Sequence, residues 1–128
     1  MTNDDFDWWI FDEATKDRKA VTREEYYAWI AAPKDGVWPC QMALDTVSTP
    51  SGKKLAVSSV FLTCDHGRNG CPVHFESMIF EVEEDGSWGR DLNCFRAIFY
   101  EELLGRHSQV VYDITQGTFQ DYGGQTYS

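Results

Sequence analysis

The sequence predicts an α+β fold: an antiparallel sheet of about four strands in meander order, with one helix before it and one after it. Three observations predict it. From Gln41 to Ile98 apolar residues alternate with polar ones, and turn residues interrupt the alternation. A helix-start signature stands ahead of that block. Behind it the apolar spacing lengthens to that of a helix.

The elements follow in order. Trp8 to Phe11 reads as a short strand or as an aromatic anchor for a partner. In "TREEYYAWIAAP", Thr22 and Glu25 have capping-box spacing, and Pro33 ends the pattern. Tyr26, Trp29 and Ile30 then share one face at helical spacing, as a core stripe does. "QMALDTV" alternates as a strand, and Pro50 and Gly52 punctuate a turn after it. "LAVSSVFLTC" is rich in β-branched and aromatic residues and is expected to return antiparallel. "PVHFESMIFEV" makes a third strand, Asp85-Gly86 a hairpin turn, and "WGRDLNCFRAI" a fourth strand. In "FYEELLGRHSQVVYDI", Tyr100, Leu103, Leu104, His107, Val111 and Ile114 recur on one helical face. Gly105 weakens that helix by about 1 kcal/mol relative to Ala. Residues 1–114 are expected to form a single domain, and residues 115–128, which lack a period, a flexible tail.

Charge narrows the function. Asp and Glu number 21 against 11 Lys and Arg, a formal net charge of -10. Such a surface repels phosphate backbones, which disfavours direct nucleic-acid binding and favours a basic protein partner. The plainer explanation is that acidic charge keeps a small protein soluble. No apolar run approaches the roughly 20 residues that cross a bilayer. The first residues, "MTNDDFDWW", are acidic where a secretory signal is basic and then apolar, so an intracellular protein with reduced cysteines is expected.

Two constellations could carry chemistry. Cys64, His66, Cys71 and His74 flank one predicted inter-strand loop, and two thiolates with two imidazoles complete a tetrahedral zinc set. Their spacing departs from the usual zinc-finger pattern, and each has a plainer reading as a strand-end or loop side chain. Asp65 and His66, with Glu76 and His107, could perform acid–base work. Adjacent residues on an extended segment point to opposite faces, however, and a histidine on an apolar helix face is more often a satisfied core residue. Cys40 and Cys94 lack a neighbouring basic residue that would favour thiolate chemistry. There is no phosphate-cradling glycine loop, no H-E-x-x-H and no G-x-S-x-G, and no residue is assigned as catalytic.

The block "VSSVFLTCDHGRNGCPVHFESMIF", followed by "EELLGRH", resembles a family of small uncharacterised proteins of bacteriophages and prophages. The shared core runs V-S-T-V-F-L-x-x-D-H, a Gly-rich loop, P-x-x-F-E-[ST]-M-[IV]-F, and a helix ending in A-x-x-G-H. Val57, Ser58, Val60, Phe61, Leu62, Asp65, His66, Pro72 and Phe75 to Phe80 match it, and Gly105 and His107 match with Arg106 inserted. The resemblance implies a phage-like origin and the strand–loop–strand–helix order, without a known reaction. It also implies that relatives carry Gly or apolar residues at positions 71 and 74, so that zinc would be private to this chain. Asp65, His66 and Glu76 belong to the shared pattern, and a loop-structuring role suits them: Asp caps turn amides, and His can reach a carboxylate across strands.

The leading expectation is therefore a non-enzymatic, phage-encoded accessory protein of the bacterial cytoplasm that binds a host protein with a basic surface. An inhibitor of host defence that mimics nucleic acid, in the manner of an anti-CRISPR protein, is its sharpest form. The partner-binding candidates are Asp4, Asp5, Asp7, Trp8, Trp9, Asp12 and Glu13 at the start of the chain, and Glu83, Glu84 and Asp85 on the second hairpin. The alternative is a zinc-binding protein or small metal-dependent hydrolase built on Cys64, His66, Cys71 and His74. A structural or oligomeric phage component is the third.

Overall fold

The computed structural model describes residues 8–63 and 73–128. β1 (Trp8–Asp12) and β2 (Asp17–Val21) form an antiparallel hairpin, and α1 (Arg23–Ile30) follows directly. The four-stranded sheet is then built from β3 (Gln41–Ser48), β4 (Lys54–Phe61), β5 (Phe75–Val82) and β6 (Trp88–Ala97). Its spatial order is the chain order, every neighbour antiparallel, so it is the expected meander. α2 (Tyr100–Gln116) follows the sheet, and β7 (Phe119–Gln120) with β8 (Thr126–Tyr127) close the chain as a small hairpin. The protein is thus a mixed α+β fold with one helix on each side of the meander in sequence. Among the described residues no helix is long and apolar enough to cross a membrane.

Local chemistry accounts for the helix ends. The Thr22 hydroxyl accepts from the Glu25 amide at 3.2 Å, and the Glu25 carboxylate accepts from the Thr22 amide at 3.1 Å, a complete capping box. These hydrogen bonds hold the Glu25 carboxyl below its ordinary range. Tyr26, Trp29 and Ile30 form the inner face of α1, yet each is only half-buried. At the other end of the chain, Gly117 terminates α2 in the left-handed conformation, φ 74°, and its amide and that of Thr118 satisfy the last carbonyls.

Alternation gives the sheet two faces. Leu55, Val57, Ile79 and Leu92 point to one side, where Val110 and Ile114 of α2 cover them. Leu92 gains its inward place from a bulge between Ile79 and Phe80 in the β5–β6 register. A second cluster lies at the end of the same face, where Phe11, Phe61, Phe75, Ala97 and Leu103 meet the β1–β2 hairpin. Each fully buried side chain of this kind contributes about 1.5–3 kcal/mol.

The end of the chain, read from sequence as a tail, packs against the fold. Residues 115–128 complete α2 and then fold back, with Phe119 and Tyr127 buried in the main cluster at ring-centroid distance 5.8 Å. The Tyr122 amide donates to the Leu92 carbonyl, and the Asn93 amide group to the Gln120 carbonyl, so this hairpin is tied to β6. Its order comes from contacts with other elements, which no local period announces. β2 was likewise not foreseen: "DRKAV" is charged, with only Val21 buried.

Candidate functional site

The most organised polar feature is a chain of hydrogen bonds through the core. His107 on α2 is buried among Leu103, Val110 and Ile114. Its Nε2 lies 2.7 Å from Asp45 Oδ2 on β3, and its Nδ1 lies 2.7 Å from Ser59 Oγ on β4. Ser59 Oγ lies in turn 2.6 Å from Ser77 Oγ on β5, its direct cross-strand partner. A carboxylate only accepts, so Nε2–H donates to Asp45. In the neutral ring Nδ1 then accepts from Ser59, and Ser59 accepts from Ser77.

Asp, His and Ser in hydrogen-bonded sequence invite comparison with a nucleophilic triad. The accessibility runs the wrong way for that chemistry. Ser59 and Ser77 are both 0% exposed, whereas the Asp45 side chain is 56% exposed at the sheet edge. A nucleophile must meet its substrate, and this one is walled in by the core. The chain instead links α2 to three strands with every ring nitrogen satisfied. His107 is thus a satisfied core histidine.

Of the acid–base constellation, the two described members, Glu76 and His107, are not brought together. Glu76 pairs with Arg96 across β5 and β6 at 3.0 Å, on the sheet face opposite Ser77, so it stands apart from His107. Asp65 and His66 lie outside the described residues.

Of the zinc quartet, Cys64, His66 and Cys71 also lie outside the described residues, and His74 alone can be placed. It is 1% exposed, stacked on Phe61 at 5.4 Å and against Trp9 at 5.0 Å. Its Nδ1–H donates to the Leu62 carbonyl at 2.8 Å, and the Leu62 amide donates to the His74 carbonyl. These bonds close the base of the 63–73 connection, two residues before Cys64 and three after Cys71. Among the described residues no three metal-ligating side chains gather. The described cysteines are free thiols; burial pushes Cys40 up to about 12, and burial, aided by Glu76, does the same for Cys94.

The partner-binding candidates divide. Asp4, Asp5 and Asp7 lie outside the described residues. Trp8 rests on Tyr26 and Tyr27 at 4.9 and 5.8 Å, and Trp9 packs against His74 and under the Arg18 guanidinium at 4.8 Å. Both rings are half-buried in contacts within the chain. Asp12 caps the Ala14 amide, and Glu13 is paired with Lys16 at 2.7 Å. The β5–β6 turn differs. Glu83, Glu84 and Asp85 are exposed, and none is in an ion pair among the described residues. Gly86 at φ 86° lets the turn close on paired Glu83–Ser87 and Gly86–Glu83 backbone bonds. The Ser87 hydroxyl and amide both donate to Asp85, which holds its carboxyl below the ordinary range and so ionised.

Sequence reasoning missed the Asp45–Ser59–Ser77–His107 chain. A signal was present, because Ser59, Ser77 and His107 are polar residues at inward-facing positions of otherwise apolar patterns. No family model, no curated protein and no solved structure matches the chain.

Proposed function

We propose that the protein is a non-enzymatic binding module that occupies a basic surface of another protein, with the β5–β6 turn as its principal acidic contact. The observation that supports this most is the turn itself. Three exposed carboxylates stand on a backbone-bonded hairpin, free of ion pairs among the described residues, in a chain of net charge -10. Charge arranged this way speeds encounter with a basic partner and selects against acidic ones. A rigid turn also loses little conformational entropy on docking. In its sharpest form the reading is a phage-encoded inhibitor that holds a host defence protein by the surface meant for nucleic acid. The acidic balance and the resemblance to phage proteins support that form together.

A pull-down from nuclease-treated bacterial lysate tests it, with wild type beside two neutralised variants. One carries Glu83→Gln, Glu84→Gln and Asp85→Asn; the other carries Asn at positions 4, 5 and 7. The expected outcome is a stoichiometric protein whose capture falls at least about tenfold in the turn variant. Equal capture by all three proteins would remove electrostatic recognition as the cause.

One observation favours a second reading, zinc at Cys64, His66, Cys71 and His74. The His74 Nδ1–H donates to the Leu62 carbonyl, which leaves Nε2 as the nitrogen that would ligate a metal from the neutral ring. A carbonyl on the far ring nitrogen is the usual support of a ligating histidine. Zinc bound one per chain, and lost in both Cys71→Ser and His74→Gln, is the result this reading requires. A metal-free folded protein would end it.

A further inference from the structure

Trp88 opens β6 directly after the acidic turn, and it is 44% exposed. Phe80 lies nearly parallel to it at 5.0 Å and 16°, so one face of the indole is backed and the ring is held flat. Elsewhere the chain covers aromatic rings with its own cations: Arg18 lies over Trp9 at 4.8 Å, and Arg106 over Phe95 at 5.4 Å. Among the described residues no cation lies over Trp88. Arg90, on the same strand, is committed to Glu81 and to the Tyr127 hydroxyl. The Glu83 carboxylate folds back against Gly89, the residue after Trp88, where a Cβ would collide with it. Both Ser87 donors reach Asp85 through Oδ1, which leaves Oδ2 to accept from outside.

We infer that Trp88 is the anchor for an arginine side chain of the partner, its guanidinium stacked on the indole and its N–H groups directed at the turn carboxylates. The inference rests on the reading of the turn as the contact with a basic partner, and it names the residue type that this contact reads. Charge selects a cation as the occupant. A ring alone suits any apolar side chain, but this ring stands beside three exposed carboxylates that no cation of the chain neutralises among the described residues. Shape then selects arginine over lysine. A guanidinium is planar and weakly hydrated, so it lies flat on an indole while its in-plane N–H groups fork toward carboxylates. An ammonium is compact and strongly hydrated, and it gains less from a ring face. Arg18 on Trp9 is the same pairing made within the chain. Trp and Arg are also among the side chains that carry most of the energy at interface centres.

Nona-arginine and nona-lysine peptides carry equal charge and differ only in the group they present, so they are the probes. Their affinities for the full chain are measured by calorimetry at about 0.1 M salt, and the Trp88 indole N–H is followed by NMR. Wild type is compared with Trp88→Leu, Trp88→Phe and the Glu83→Gln, Glu84→Gln, Asp85→Asn variant, with the unfolding midpoint of each checked. Wild type is expected to bind the arginine peptide at least about threefold more tightly than the lysine peptide, with a shift of the Trp88 signal. That preference is expected to vanish in Trp88→Leu and to survive in part in Trp88→Phe, while lysine-peptide affinity changes little. Equal affinity of wild type for the two peptides overturns the inference alone, so long as the turn variant still weakens both. An arginine preference that folded Trp88→Leu retains also overturns it. A turn variant that binds both peptides as wild type does overturns the reading of the turn, and this inference with it.

Discussion

His107 carries the sharpest consequence at the scale of single residues. Its ring is buried and serves both Asp45 and Ser59, so His107→Ala leaves a cavity and strands buried hydroxyls. A loss of about 2–4 kcal/mol is expected in urea unfolding. Asp45→Asn is expected to lose no more than about 1 kcal/mol, because the Asp45 side chain is largely in water and an amide still accepts from Nε2–H. Equal losses would mean that the outer hydrogen bond to Asp45, and not the buried ring, holds the helix. Asp121 sets a pH dependence. Burial works against its charge, but the Gln125 and Gly123 amides and the Tyr127 hydroxyl outweigh that and hold its carboxyl below the ordinary range. A lowered folded value contributes stability above the unfolded pKa of about 3.9, and that stability is lost as the pH falls through the folded value. The C-terminal hairpin is therefore expected to loosen in acid, read from the Tyr127 ring by NMR, and Asp121→Asn to remove that dependence. The polar chain of the core was only partly legible at this scale. Residues 45, 59, 77 and 107 share no local period, and register alone brings them together.

Among the elements, two glycines of α2 make opposite predictions. Gly105 sits mid-helix with open space around a would-be Cβ, so Gly105→Ala is expected to stabilise by about 0.5–1 kcal/mol. Gly117 has φ 74°, and a Cβ there would lie 3.2 Å from both Pro50 Cγ and Ser128 Cα. Gly117→Ala is expected to lower stability by about 1–2 kcal/mol, since both the backbone conformation and the neighbours resist it. Thermal unfolding of the two variants checks both signs. The strongly patterned elements were legible in the sequence for physical reasons. The capping box of α1 and the alternation of β3 to β6 are local, so nearby residues specify them. β2 and the β7–β8 hairpin escaped, because two short strands hold few residues to show a period and depend on what they pack against. Phe119 and Tyr127 are ordered by the cluster around Leu92, Val110 and Ile114, which lies far away in sequence.

For the whole molecule, one sheet separates two kinds of surface. One face is sealed by α2 and the aromatic cluster, and the other presents Leu44, Met78, Phe80 and Trp88. The β5–β6 turn projects the most concentrated described acid from the end of the sheet. The acidic character was legible from composition, but its distribution was not. Trp8, Trp9 and Glu13 looked like partner contacts in sequence and are engaged within the chain, whereas Glu83, Glu84 and Asp85 remain free of ion pairs among the described residues. The central claim, that this turn holds a basic partner by charge, is tested most directly by step elution. Lysate protein captured on wild type and on the Glu83→Gln, Glu84→Gln, Asp85→Asn variant is released with rising salt. Wild type is expected to release its partner in a salt-dependent step, and the variant at distinctly lower salt. Retention that ignores salt, or identical elution from both proteins, would contradict it.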